Sequence, residues 1–151
     1  KINLSNYVNI SASNAEPIRV RDTILAPPGQ GGGLLGIPGD WTPPSRFVRT
    51  CAMLGFAKPV VDAKAGVNLT LHILNAVDIP LGDVRPADKQ IDHSDYTQWV
   101  VVKDLTNSQF YFRSYDNLNL RKIDMKKLDF GKSTKAEQLT PVAGGNAAVD
   151  L

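Results

Sequence analysis

Apolar residues recur at helical spacing in two stretches near the middle of the 151-residue chain. In the first stretch Phe47, Cys51 and Leu54 share one helix face. Pro43 and Pro44 block a helix before them, so we expect this helix to begin at Ser45, whose hydroxyl can cap free backbone N–H groups. The pattern predicts a helix from Ser45 to about Leu54, with Cys51 on its buried side.

The second stretch predicts a helix over residues 61–77. Its apolar positions form one stripe with a broad flank, made of Ala63, Val67, Leu71, Leu74, Leu69, Ile73 and Ala76. A surface this wide indicates burial on more than one side. Pro80 closes the element because proline cannot continue a helix.

Beyond residue 96 the period of the pattern changes to two, which is typical of strands. Residues 98–103 predict a strand, 104–108 a turn, 109–113 its hairpin partner, and 117–125 a third antiparallel strand. Loops, two helices and then a strand meander indicate an α+β fold, with helices packed on one face of a sheet.

The remaining segments are dominated by turn formers or polar residues. Glycine and proline mark residues 26–33 and 37–44 as loops, and residues 80–96 form a polar loop. Residues 2–11 fit a short helix or a strand equally well. After Phe130 the hydrophobic pattern is lost, and we expect that tail to lie on the surface or fray.

Composition and charge exclude several classes of function. The chain carries 17 basic and 15 acidic residues, a net charge of +2, which gives no reason to expect nucleic acid or an anionic membrane as partner. No stretch reaches the roughly 20 apolar residues that span a bilayer. Cys51 is the only cysteine, which excludes an internal disulfide and a cysteine-based zinc site, and leaves the redox compartment open.

The residue types that commonly take part in catalysis or ligand binding do not by themselves indicate a function here. Cys51 is interpreted as an inert core residue. His72 in the apolar helix and His93 in the polar loop have no partner at useful spacing, and their arrangement predicts no metal site. The glycine run at 29–33 lacks the Lys-Ser/Thr of a phosphate-binding loop, so no nucleotide is expected.

Two arginines stand out because the sequence puts them at the start of a helix. Arg46 and Arg49 follow a loop stiffened by prolines, and a cation at a helix N-terminus opposes the macrodipole at a cost of some tenths of a kcal/mol. Two interpretations remain open: the charge serves a function, or one arginine simply pairs with Asp40.

The same region resembles a known family. Residues 31–40 followed by 44–49 resemble the loop-to-helix signature of the choloylglycine hydrolases, which include conjugated bile salt hydrolases and penicillin V acylases. The likeness continues through residues 3–7, 75–80, 97–104 and 110–117, in the family's order. It covers nearly the whole chain and is weakest after Phe130.

The resemblance implies a fold and a reaction. The fold is an αββα sandwich of the N-terminal nucleophile hydrolase type, to which this chain contributes two helices and the strand meander. The nucleophile of such enzymes is a cysteine at the processed N-terminus, whose own α-amino group is the general base and which forms an acyl-enzyme. Residue 1 here is Lys, so residues 1–151 are expected to be the C-terminal portion of one such domain. The nucleophile is then expected on an N-terminal segment or chain of the same enzyme.

Of the family's catalytic group, only the arginine of the Ser-Arg-Phe motif carries over, onto Arg46. Its implied role is to favour the thiolate and to stabilise charge in the tetrahedral step. The resemblance implies a small-molecule amide substrate, no cofactor, no metal, a bacterial source and a homotetramer. Residues expected by loop position to border the acyl-binding cleft are Leu25, Gln30, Leu34, Asp40 and Trp41.

Two points stay open at this stage. The form of the loop at residues 30–36 and Asp40 favour a penicillin V acylase-like member, while bile salts and N-acyl homoserine lactones are also family substrates. The alternative to an enzyme is a non-catalytic binding or structural relative that lacks the nucleophile. On the enzyme hypothesis, the 151 residues are not competent for hydrolysis by themselves.

Overall fold

The computed structural model describes residues 2–88 and 94–131, which form two compact units divided after Pro59. The expectations for His93 and for the tail beyond Gly131 lie outside the described residues. Each unit has its own helices and its own antiparallel sheet.

The first unit consists of short elements followed by one long helix. They are α1 (Ile2–Ser5), β1 (Ile18–Val20), β2 (Thr23–Leu25), a 3₁₀ turn (Gly32–Leu34) and α2 (Pro43–Phe56). Of residues 2–11, for which helix and strand were left open, Ile2–Ser5 form a single turn of helix and the rest form no strand. The β1–β2 hairpin was not predicted; its residues are exposed, and it reverses at Arg21, whose φ of 53° lies in the left-handed region.

Helix α2 begins two residues earlier than predicted. Pro43 and Pro44 occupy its first two positions, where a missing N–H costs nothing and the fixed φ of proline already suits a helix. Thr42 is therefore the residue at the N-cap, and Ser45 lies inside the helix. The predicted start was wrong because proline blocks the interior of a helix but favours its first turn.

The buried side of α2 is not the predicted one. Val48 is 1% exposed and Arg49 is 6% exposed, whereas Phe47 is 52% and Leu54 is 66% exposed. Cys51, between those two, is a partly exposed free thiol. The expectation of a buried core cysteine was wrong, because the side that is buried begins about a quarter turn away from the Phe47–Cys51–Leu54 stripe.

The second unit contains α3 (Ala63–Asn75), β3 (Trp99–Asp104), β4 (Gln109–Ser114) and β5 (Arg121–Asp124), and a closing 3₁₀ turn (Met125–Lys127). The strands form one antiparallel sheet in the order β3-β4-β5. The hairpin prediction is confirmed. The third strand is shorter than predicted because Ser114 and Asn117 exchange backbone hydrogen bonds of 3.2 and 3.3 Å and close a turn there.

Helix α3 packs against β3. It begins after Asp62, whose carboxylate accepts the Ala65 N–H at 2.7 Å, a cap the pattern did not predict. Val67 is buried on the helix, and Val100 and Val102 alternate on the buried face of the strand. His72 is exposed rather than inside the apolar surface. A helix layer on one face of an antiparallel sheet confirms the α+β class.

Candidate active site

The loop before α2 is held by the carboxylate of Asp40. This carboxylate accepts hydrogen bonds from the Thr42 N–H at 2.9 Å, from the Thr42 hydroxyl at 2.6 Å and from the Ser45 hydroxyl at 2.6 Å. These bonds, the one from Ser45 above all, lower the pKa of Asp40 from 3.8 to about 2. Asp40 is thus an exposed, ionised acceptor whose oxygens are already engaged by the start of the helix.

Arg46 is a partly buried cation that has no hydrogen-bond acceptor among the described residues. It lies in the first turn of α2, one residue after Ser45, and is partly buried. Its Nε is shielded from solvent, and its guanidinium makes no hydrogen bond or ion pair within residues 2–88 and 94–131. A half-buried guanidinium in this state is free to serve an anionic group brought to it.

Arg49, one turn further on, is engaged with the loop. Its Nη1 donates to the backbone carbonyls of Pro38 at 2.8 Å and of Asp40 at 3.1 Å. Its Cζ lies 5.3 Å from the centre of the Trp41 ring, a cation–π contact. The pairing of an arginine with the Asp40 side chain does not occur in the described structure; Arg49 binds the backbone of Asp40 instead.

The glycine-rich loop is ordered by one side chain. The Asn14 amide donates to the Gly29 carbonyl at 2.6 Å and its oxygen accepts the Gly32 N–H at 2.7 Å. Gly33 must be glycine, since a Cβ there would overlap the Ser13 carbonyl. After the 3₁₀ turn, the Ile37 N–H donates to the Leu34 carbonyl at 3.0 Å, and the chain continues into Pro38.

The expected cleft residues divide into two groups. Asp40, Trp41 and Arg46 lie together around the start of α2. Gln30 is exposed at the tip of the glycine-rich loop, Leu34 is partly buried in the 3₁₀ turn, and Leu25 is 51% exposed at the end of β2. No hydrogen bond joins the second group to the first in the part of the chain that the structure describes.

The second unit contains a site that the sequence did not predict. The Arg113 Nη2 donates to Asp78 Oδ2 at 2.7 Å and to Asn75 Oδ1 at 2.5 Å. Burial raises the pKa of Asp78, and the charge of Arg113 only partly offsets it. An open pocket of about 430 Å³ lies over this pair, with Trp99 and Tyr115 at its wall. Both partners lie in segments that resemble the choloylglycine hydrolases in sequence, residues 75–80 and 110–117. That resemblance is the signal that could have pointed to them.

The described residues provide no donor set for a metal, since residues 2–88 and 94–131 contain no group of three or more His, Cys, Asp or Glu side chains close enough to share an ion. None of the described helices has the length and apolar character needed to cross a membrane.

Comparison with known proteins identifies the family to which the chain belongs. The model of the linear amide C–N hydrolases, choloylglycine hydrolase family, matches residues 1–140. The chain therefore belongs to the choloylglycine hydrolase family, and the resemblance found in the sequence is confirmed.

Individual relatives and solved structures show how far the similarity extends. A bile salt hydrolase/transferase of Clostridium perfringens is 35% identical over 127 residues, which are 83% of this chain and 37% of the relative. The crystal structure of a mutant conjugated bile acid hydrolase from the same species matches 96% of this chain with a TM-score of 0.78 and 31% identity. Penicillin V acylase from Agrobacterium tumefaciens matches 69% with a TM-score of 0.55 and 26% identity.

The chain spans only part of each relative: 37% of the Clostridium bile salt hydrolase/transferase, 40% of the corresponding protein of Bifidobacterium longum, and 44% of the conjugated bile acid hydrolase structure. The fold expectation is confirmed at the level of α+β structure shared with these hydrolases.

Proposed function

We propose that residues 1–151 are the C-terminal portion of a linear-amide hydrolase whose nucleophile, an N-terminal cysteine, is supplied by polypeptide outside this sequence. Two facts support the proposal. The chain covers about two fifths of relatives that are named hydrolases. Its only cysteine, Cys51, lies in the middle of α2, where it has no free α-amino group to act as general base.

The observation that carries the catalytic role is the unpaired Arg46. Arg49 and Arg113 each have oxygen acceptors, whereas the guanidinium of Arg46 has none in the described chain. Holding a partly buried charge in this state costs free energy unless a partner arrives. A thiolate and the oxyanion of a tetrahedral intermediate are such partners, and a fixed cation beside them lowers the barrier.

The substrate we propose is an amide-linked bile acid conjugate. The loop form favoured a penicillin V acylase-like member, but the match to the conjugated bile acid hydrolase is more extensive than the match to the penicillin V acylase, 96% against 69% of the chain. Glycine and taurine conjugates are therefore the first substrates to test, and penicillin V is the second.

The test is turnover by the complete enzyme that contains this chain. Intact-mass spectrometry first shows whether a second polypeptide beginning with cysteine accompanies the chain. Arg46→Ala is expected to lower kcat at least roughly a hundredfold while the melting temperature barely moves. Arg19→Ala, which removes an exposed arginine of β1, is the matched control. Normal turnover by Arg46→Ala would rule out the role of Arg46, and no amide hydrolysis by the unmodified enzyme would favour a binding relative.

A further inference from the structure

Arg49 is a buried cation without a counter-ion, and the proposed reaction leaves it unexplained. It is 6% exposed, and no carboxylate pairs with it within the described residues. Its Nε and Nη2 are shielded from solvent and make no hydrogen bond there. Burying a charge in this way costs free energy, so the contacts of Arg49 indicate what offsets that cost.

The hydrogen bonds and the ring contact of the Arg49 side chain belong to one short loop. The Nη1 of Arg49 donates to the Pro38 and Asp40 carbonyls, two residues apart, at 2.8 and 3.1 Å. The Cζ of the guanidinium lies over the ring of Trp41, 5.3 Å from its centre. The side chain therefore touches both the backbone and the one large side chain of the segment that precedes α2. A planar guanidinium suits this combination, whereas the ammonium of lysine has no plane to stack.

We propose that Arg49 is a positioning residue that clamps the loop at residues 38–41 onto the first turns of α2, so that Trp41 is held as a wall beside Arg46. Arg46 and Arg49 are three residues apart on the helix and hence on neighbouring positions of its surface. The assignment of Trp41 to the substrate cleft rests on the proposed function; the clamp itself rests on the contacts of Arg49 alone.

The clamp separates the roles of the two arginines. Arg46, which the proposed function assigns to the reacting atoms, is expected to act on kcat. The hydrogen bonds and the ring contact of Arg49 are with the loop, so loosening the loop is expected to displace the wall of the cleft and to weaken binding of the amide. Displacements of about 1 Å already have large kinetic effects in such sites. We expect Arg49→Met to raise KM roughly tenfold, with a smaller change in kcat.

The experiment measures the environment of Trp41 directly, and so detects a displacement of the loop. The complete enzyme is labelled with 5-fluorotryptophan, and the ¹⁹F resonance of Trp41 is assigned with Trp41→Phe. In Arg49→Met that resonance is expected to shift toward the position of a solvated indole, while the resonance of Trp99 in the second unit stays in place. Arg19→Met, which removes an exposed arginine, is the control and should move neither.

Each outcome decides a separate claim. An unchanged Trp41 resonance in Arg49→Met overturns the clamp, whatever the kinetics show. A shifted resonance with unchanged KM for the amide supports the clamp and overturns the placement of Trp41 at the cleft. If the unmodified enzyme hydrolyses no amide, the proposed function fails while the resonance still decides the clamp. Should Arg49→Met not fold, Arg49→Lys, which keeps the charge but loses the planar guanidinium, carries the same comparison.

Discussion

The Ser45 hydroxyl donates a hydrogen bond of 2.6 Å to the carboxylate of Asp40, which lies five residues earlier, before the start of α2. Together with Thr42, it turns the loop before the helix into a closed ring of hydrogen bonds. The negative charge also lies at the positive end of the helix dipole. This arrangement fixes the backbone immediately before Arg46, the residue proposed to act on the reacting groups.

The first prediction concerns the titration of Asp40. Its pKa is lowered to about 2, and the bond from Ser45 is the largest cause. Ser45→Ala is therefore expected to raise the pKa of Asp40 toward 3.8, the ordinary value. A carbon-detected NMR titration of the side-chain carboxyl measures this directly. A pKa in Ser45→Ala equal to that of the unmodified protein would contradict the assignment of the cause.

The sign of the linked stability follows from the direction of the shift. Because folding lowers the pKa of Asp40, its ionised form stabilises the native state above pH 3.8, and this contribution is lost as the pH falls through about 2. Urea unfolding of Asp40→Asn is expected to show a weaker pH dependence than the unmodified protein across that window. An identical dependence would mean that the carboxylate does not hold the loop.

The elements of the fold were predictable where periodicity is strong and unpredictable where pairing is local. The β3–β4 hairpin follows from alternation, but the β1–β2 hairpin has only three residues in each strand and all are exposed, so no apolar alternation marks it. The face of α2 that is buried was not predictable either. The apolar stripe of Phe47 and Leu54 is exposed, and the buried side includes Arg49, a residue type that patterns assign to solvent.

The second prediction concerns the packing of the glycine-rich loop. A Cβ at Gly33 would overlap the Ser13 carbonyl and lie 2.6 Å from that of Ser11, and both are backbone atoms that cannot swing aside. Gly33→Ala is expected to destabilise the protein by about 1–3 kcal/mol, measured as the free energy of unfolding in urea. Gly29→Ala is the matched control, because a Cβ there meets nothing within 4 Å. Equal stability of the two variants would show that the loop is not closed on residues 11–13.

The third prediction concerns the ion pair of the second unit. Arg113→Met leaves Asp78 without its partner and removes the bond to Asn75, at an expected cost of about 1 kcal/mol. The cost is at the low end because Asp78 is 35% exposed and solvent screens its charge. Arg85→Met is the control, since Arg85 is exposed and, among the described residues, donates a hydrogen bond only to the Gly82 carbonyl of its own turn.

The pH dependence of this variant distinguishes lost charge pairing from lost packing. Burial already raises the pKa of Asp78, and removing Arg113 raises it further. A raised carboxyl pKa means that the native state is favoured below the ordinary value of 3.8 and loses that advantage as the pH rises through the folded pKa. The loss in Arg113→Met should therefore be larger at pH 7 than at pH 4. A loss independent of pH would indicate packing of the arginine stem alone.

The candidate site was predictable only as far as the resemblance extended. The cost of a cation at a helix start marked Arg46 and Arg49 alike, and the resemblance then selected Arg46, which the structure shows unpaired within the described residues. The role of Asp40 in closing the loop depends on Ser45, which the pattern had assigned to the helix cap itself. The pair of Asp78 and Arg113 joins residues 35 positions apart, which neither periodicity nor spacing reveals.

The last prediction uses two residues of α2 with opposite environments. Val48 is 1% exposed, and Val48→Ala is expected to cost about 2 kcal/mol in the 151-residue chain. Leu54 is 66% exposed, and Leu54→Ala is expected to stay within about 0.5 kcal/mol. If polypeptide carrying the nucleophile covers the Phe47–Cys51–Leu54 stripe, Leu54→Ala becomes more costly in the complete enzyme, while the cost of Val48→Ala stays the same. Urea unfolding of both forms measures the difference, and an unchanged small cost for Leu54→Ala would mean that the stripe faces solvent there too.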